Sequence, residues 1–189
     1  MVATRRGLTL EEFLKLPERK PALEYADGVV TQKGEPKGRH SRLQGKLSEW
    51  INRWAEPREL AFAFPELRTT YAGRSYVPDV AVYRWERIAL DANRVVPDEF
   101  FEPPDIAVEI VSPEQSVRAQ VRKCQWYVEH GVPLALVANP DDHAVRLLRP
   151  GTEPLVLRDD AVIDFGPVLP GLQLSVRDLL AMLQLGGQP

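Results

Sequence analysis

Asp105-Ile-Ala-Val-Glu-Ile-Val111 is the stretch whose reading decides the fold. In an extended chain successive side chains alternate, so Ile106, Val108 and Ile110 share one face and Ala107, Glu109 and Val111 the other. Both faces are apolar except at Glu109, which predicts a central strand covered on both sides. Downstream, Val117, Val121, Cys124 and Val128 mark one face of a helix that ends at Gly131, a natural C-cap. Leu134-Ala-Leu-Val-Ala138 then reads as a second buried strand. Asn139-Pro-Asp-Asp142 turns it into Ala144-Val-Arg-Leu-Leu148. Strand, helix, strand in this order predicts an α/β (α+β) fold: a mixed β-sheet flanked by α-helices.

Upstream, Tyr76 to Tyr83 reads as one strand, with Asp79 on it and Val80 and Val82 beside it. Leu60 to Tyr71 reads as another, interrupted at Pro65. Residues 84–104 read as an irregular connection containing Pro97, Pro103 and Pro104. A helix starts at His40 or Ser41, carries Leu43, Leu47, Trp50, Ile51 and Trp54 as a stripe, and stops at Pro57. Arg42, Lys46, Glu49 and Arg53 flank that stripe. Further toward the N-terminus, Ala22 to Thr31 reads as a hairpin turning at Asp27-Gly28. Thr9-Leu-Glu-Glu12 is a capping box for a short helix that Pro17 stops. Short strands at 154–157 and 161–165 and a capping-box pattern at Ser175-Val-Arg-Asp178 complete the chain.

With 189 residues and 44 % apolar content, one domain over residues 1–189 is expected. The 24 Lys and Arg against 27 Asp and Glu give a net charge of −3, which excludes a generally basic binder. No apolar run is long enough to span a membrane. The opening Met1 to Gly7 is followed by no apolar stretch, so no secretory signal is expected. Cys124 is the single cysteine, which excludes an internal disulfide and any two-cysteine zinc site and fits a reducing cytoplasm. Charge is uneven along the chain. Residues 30–58 hold Lys33, Lys37, Arg39, Arg42, Lys46, Arg53 and Arg58 against Glu35, Glu49 and Glu56. Residues 79–115 are rich in acids. A basic and an acidic segment in one domain suit a polyanion near a bound cation, or are solvated surface.

Asp79 and Glu109 carry the chemistry of this reading. An acid in the middle of an apolar strand is costly to bury unless it is paired or holds a cation. Two such acids on neighbouring strands can converge on a divalent metal that takes oxygen ligands, leaving open positions for water and a phosphate. Lys123 lies on the next helix, directly before Cys124 and so about 100° around from it. That places it at the edge of the buried face, reaching toward the strand ends. There an ammonium could orient or help deprotonate water, or stabilise developing phosphorane charge. His40, at a helix start, could contact a phosphate or move a proton, or simply cap the helix.

Pro78-Asp79, Glu109-Ile-Val-Ser-Pro113, Lys123-x-x-x-Tyr127 and Gly131-Val132, taken in order, resemble the Uma2-type (DUF820) family of the restriction-endonuclease-like PD-(D/E)xK superfamily. The opening Leu8-Thr9-x-Glu11-Glu12-Phe13, the hairpin Glu24-Tyr-Ala-Asp27-Gly28, His40, Pro103-Pro104-Asp105 and Leu169-Pro-Gly-Leu172 extend the likeness over nearly the whole chain. The resemblance implies a restriction-endonuclease-like core with an extra N-terminal helix and hairpin. It implies a Mg²⁺- or Mn²⁺-dependent nuclease acting on DNA. Asp79 and Glu109 would be its metal ligands, Lys123 its catalytic lysine and Glu24 a further acid in the same cleft. A homodimer, which lets two strands be cut, is a further implication.

The sequence departs from the superfamily pattern at Val111, where a lysine two residues after the strand glutamate is expected. It departs again at Ala119, where relatives often have aspartate. Arg39, His40, Arg42, Lys46 and Arg53 form the expected nucleic-acid-binding stripe, contacting backbone phosphates. A second reading, favoured by Val111 and Ala119, keeps the fold and drops the chemistry. The chain is then a catalytically inactive nuclease-fold module that binds nucleic acid or protein.

Overall fold

The structure, a computed structural model, describes residues 2–186; Met1 and residues 187–189 of the expected domain lie outside that range. In chain order the first elements are β1 (Val2–Arg6), α1 (Leu10–Leu14), β2 (Leu23–Ala26), β3 (Val29–Gln32), α2 (Gly38–Ala55), β4 (Ala61–Pro65), β5 (Thr69–Tyr71) and β6 (Arg74–Tyr76). Then follow β7 (Val80–Arg84), β8 (Ile106–Ile110), α3 (Val117–Glu129), β9 (Leu134–Asn139) and β10 (Ala144–Leu148). The last are β11 (Leu155–Arg158), β12 (Val162–Asp164), β13 (Gln173–Ser175) and α4 (Val176–Ala181). No helix among the described residues is long and apolar enough to cross a membrane.

A six-stranded sheet in the order β11-β10-β9-β8-β7-β4 forms the centre. β8 and β9 run parallel and the other neighbours antiparallel, so the sheet is mixed. All five residues of β8 are buried, as its two apolar faces require. Ile106, Val108 and Ile110 pack with Leu43, Leu47 and Ile51 of α2. Ala107 and Val111 pack on the other side with Cys124 and Tyr127 of α3. The sheet is thus covered by a helix on each face. β8, α3 and β9 form the strand-helix-strand unit expected from the sequence.

A second, five-stranded sheet in the order β1-β3-β2-β6-β5 is antiparallel throughout. Its hairpin turns at Asp27 and Gly28, both left-handed at φ 52° and 78°, which is the turn an Asp-Gly pair favours. The stretches 60–71 and 76–83 are not single strands. Each splits and passes from one sheet to the other: β4 to β5 across Glu66, which sits at φ 50°, and β6 to β7 across Val77-Pro78-Asp79. Pro78 has no N–H to give a ladder, so pairing stops there, and the chain bends at Asp79. Asp79 therefore lies on the link between the sheets and not within a strand. β1 and β13 are elements without a counterpart in the sequence reading, and α2 begins at Gly38, two residues early. Caps from Thr9, Ser116 and Ser175 open α1, α3 and α4.

Candidate active site

The charged residues of interest gather where the two sheets meet, around Val77-Pro78-Asp79. β7 pairs with β8 in the register Val80 to Val108, which continued by one residue sets Asp79 across from Glu109. Asp79 is buried and fully engaged. Its Oδ1 accepts from Lys33 Nζ at 2.7 Å, and its Oδ2 accepts from the Ile110 amide at 2.6 Å and pairs with His40 Nε2 at 3.0 Å. Its backbone carbonyl accepts from Gln44 Nε2 at 2.8 Å. His40 and Gln44 stand one helical turn apart on α2, so one helix face holds both the side chain and the main chain of Asp79.

Glu109 projects from β8 toward α3. Its Oε1 pairs with Lys123 Nζ at 2.9 Å and accepts from the Tyr127 hydroxyl at 2.8 Å. Lys123 and Tyr127 are four residues apart and share that face of the helix. Glu24 arrives from β2 in the other sheet. Its Oε1 accepts from Lys123 Nζ at 2.7 Å and from the Val77 amide at 2.9 Å. Lys33 also donates to the Val77 carbonyl at 2.8 Å. The charges thus form two groups: Lys123 between Glu24 and Glu109, and Lys33 on Asp79.

Burial sets the electrostatics. It pushes the Glu109 carboxyl up to about 7, against the pull of Lys123. Burial opposes charge on Asp79 too, but the Lys33 ammonium and His40 outweigh it and hold that carboxyl well below its usual value. Lys123 is held above the ordinary lysine value because Glu109 and Glu24 together overcome its desolvation. Lys33 is raised for the same reason, with Asp79 as its main partner.

The structure brings Asp79, Glu109, Glu24, Lys123 and His40 into one cluster. Lys123 is not at the margin of α3: its side chain is only 6 % exposed and points to the sheet. The helix is rotated so that Gln120, Lys123, Cys124 and Tyr127 face inward, while Val117 and Val121 are only half buried. Lys33 and Gln44 are site residues that the sequence reading did not select. Gln44 had a signal, its spacing of four from His40; Lys33, in a loop, had none. The α2 stripe does not present bare charge. Arg39 pairs with Asp141 at 2.9 Å, and Arg42 donates to the Gln184 carbonyl. Lys46 and Arg53 share Glu49, at 2.8 and 2.7 Å. Val111 packs in the core against α3, and Ala119 is half buried.

Among the described residues no group of three or more His, Cys, Asp and Glu side chains is arranged to hold a metal ion. The cluster nevertheless fits a hard divalent cation in donor type and charge. Carboxylate oxygens are the ligands that Mg²⁺ and Mn²⁺ prefer. With Glu109 ionised, three carboxylates against two ammonium groups leave one excess negative charge, His40 aside. Glu24 Oε2 is buried without a hydrogen-bond partner.

A mixed sheet between helices, with paired acids and a lysine at its centre, defines the restriction-endonuclease-like class. A sequence profile of the Uma2 family, described as "Putative restriction endonuclease", matches residues 10–177, and the chain belongs to this family. The crystal structure of a "putative nuclease belonging to DUF820" from Anabaena variabilis superposes with a TM-score of 0.89 at 37 % identity. That match covers 94 % of this chain and 99 % of the other. A chain of the DrdV-DNA complex aligns with a TM-score of 0.38 at 10 % identity, over 76 % of this chain and 12 % of that one, too low to define a shared fold. A cytidylate kinase of Archaeoglobus fulgidus is 27 % identical over 85 residues, 45 % of this chain and 47 % of that protein. The chain thus spans about half the length of that relative, and its sequence contains no Gly-x-x-x-x-Gly-Lys-Ser/Thr phosphate loop.

Proposed function

We propose that residues 1–189 act as one domain that hydrolyses phosphodiester bonds of DNA with the help of Mg²⁺ or Mn²⁺. The observation that carries this reading is the meeting of Asp79, on the link between the sheets, and Glu109 of β8 beside the Lys123 ammonium. The nuclease descriptions of the family and of the Anabaena relative support it. Asp79 and Glu109 would hold the ion, which would supply Lewis-acid polarisation of the phosphoryl group and a water nucleophile competent at neutral pH.

The remaining groups orient and charge the site. Tyr127 fixes Glu109 through its hydroxyl, and His40 and the Ile110 amide fix Asp79. Lys123, gripped by two carboxylates, keeps its proton and serves as a fixed positive charge for the developing phosphorane, not as a base. Glu24 positions Lys123. Lys33 occupies Asp79 Oδ1, so loading the site requires Lys33 to turn away, and Glu66, 3.5 Å from its Nζ, is the acid that receives it. Exposed Arg39, Lys46 and Arg53 supply salt-sensitive contacts to the DNA backbone. Cutting both strands calls for two copies of the site, so this reading expects a homodimer. The buried thiol of Cys124 suits a reducing cytoplasm.

A second reading, a catalytically silent module, is favoured by one observation: both oxygens of Asp79 are already engaged. Incubation of supercoiled DNA with Mg²⁺, Mn²⁺ or EDTA separates the two. The nuclease reading expects relaxation or linearisation with metal, none with EDTA, and a loss of at least about 100-fold in Asp79→Asn and Glu109→Gln. Cleavage that survives both substitutions contradicts the site. No cleavage by the wild type under any metal supports the silent module.

A further inference from the structure

We propose that the pocket over Arg68 is a binding site for a small zwitterion with an apolar body, an α-amino acid of the leucine or phenylalanine kind. The pocket, of about 160 Å³, lies between α1 with the chain that follows it, Leu23 of β2, the segment at Arg68 and Thr70, and residues 98–101. It shares no lining residue with the acid cluster at the seam, so the proposal stands whichever reading of that cluster holds.

A cation without a carboxylate carries the argument. Arg68 is half buried, and its guanidinium lies 5.3 Å from the ring centre of Phe13. Its Nη1 donates to the Leu23 carbonyl at 3.0 Å and to Ser75 Oγ at 3.1 Å. These neutral partners hold the side chain in place and bring no charge. Among the described residues no acid pairs with Arg68, and its Nε and Nη2 have no acceptor. Neither nitrogen is sealed off, since both keep accessible surface. Nε and Nη2 share one edge of the guanidinium, the edge on which a carboxylate makes two parallel bonds. Burial pulls Arg68 below its usual value, and Glu24 and Glu18 offset only part of that. Lys33 and Lys123 differ, because their acids outweigh desolvation. A carboxylate on the open edge of Arg68 would supply the charge it lacks.

The walls and rim set the rest of the ligand. Phe13, Leu16, Leu23 and Phe100 give the pocket apolar surface. Leu14 and Phe101 also line it, yet stay 42 % and 57 % exposed. Apolar walls with a few convergent polar groups are the make-up of a small-molecule site. Glu18, Asp98 and Glu99 are exposed lining residues, against Arg19 as the one exposed cation among them. Three acids repel a polyanion, which argues against a nucleic-acid phosphate here, and they attract an ammonium group. A guanidinium within, acids outside and apolar walls fit one molecule that carries a carboxylate, an ammonium and an apolar side chain.

The test is a titration of the full-length ¹⁵N-labelled protein, followed by calorimetry and by NMR. The probes are L-leucine, L-phenylalanine, 3-phenylpropionate, which lacks the ammonium, and phenethylamine, which lacks the carboxylate. The site predicts saturable binding of at least one of the two amino acids, with a shift of the Arg68 Nε–H signal, and binding of each truncated probe weaker by roughly tenfold. Arg68→Gln should lower the affinity by roughly tenfold or more. Arg68 also bridges β2 and β6 through Leu23 and Ser75, so Phe101→Ser, at an exposed position, is the second variant, with a severalfold loss expected. No saturable binding of either amino acid, or binding that both substitutions leave unchanged, overturns the site. Binding of 3-phenylpropionate as tight as that of phenylalanine overturns the assignment to a zwitterion.

Discussion

Glu109 carries the least favourable charge in the cluster, and removing it should reveal that. An acid whose folded value is raised holds its proton more tightly folded than unfolded. Stability then falls as pH rises from the usual 4.5 to about 7 and stays low above that. Glu109→Gln abolishes this slope. It leaves Glu24 with Lys123 and Asp79 with Lys33, two balanced pairs. We expect the variant to match wild type near pH 4.5 and to gain on the order of 1–3 kcal/mol at pH 8, read by urea denaturation at both values. Lys123→Met is the opposite case, because it strands two buried carboxylates, and a loss of about 3–5 kcal/mol is expected. Equal effects of the two substitutions would show that Glu109 and Lys123 are not coupled. Glu109 was legible in the sequence, since a carboxylate in an apolar strand needs an explanation; Asp79 reads there as lying on a strand, and Glu24 is implied only by the family resemblance. The inward turn of Lys123 was not legible. Apolar periodicity scored Val117 and Val121 as the core face, whereas ion pairs with Glu24 and Glu109 make a lysine buriable.

At the scale of elements, β4 is an edge strand of the central sheet, and α2 closes part of that edge. The Asn52 amide donates to the Ala63 carbonyl at 2.9 Å and accepts from the Ala63 amide at 2.7 Å, as a neighbouring strand would. Asn52→Leu leaves both backbone groups without these partners. A loss of about 1–3 kcal/mol is expected, with faster hydrogen exchange confined to β4. Unchanged exchange at Ala63 would contradict this role. The helices and the β8-α3-β9 unit were readable because caps and apolar period agree there. The divided strands were not: alternation runs on through Pro65 and Pro78 although the partner sheet changes. The missing N–H of Pro78 and the left-handed Glu66 are what switch it. That switch makes the site, because it puts Asp79 at the seam.

For the whole molecule, two sheets meet at a seam where Glu24 from one, Glu109 from the other and Asp79 on the link between them surround buried ammonium groups. The net charge of −3 hides this arrangement, and so does the sequence distance from Glu24 to Lys123. Only the tertiary fold brings Lys33 to Asp79 from a loop. The excess negative charge at the seam is the property that a divalent ion would answer. The most direct test is Mn²⁺ binding, followed by electron paramagnetic resonance and calorimetry, in wild type, Asp79→Asn and Glu109→Gln. We predict saturable binding by the wild type, weakened roughly tenfold or more by either substitution. Mn²⁺ bound equally by all three proteins, or by none, would contradict a metal centre at Asp79 and Glu109.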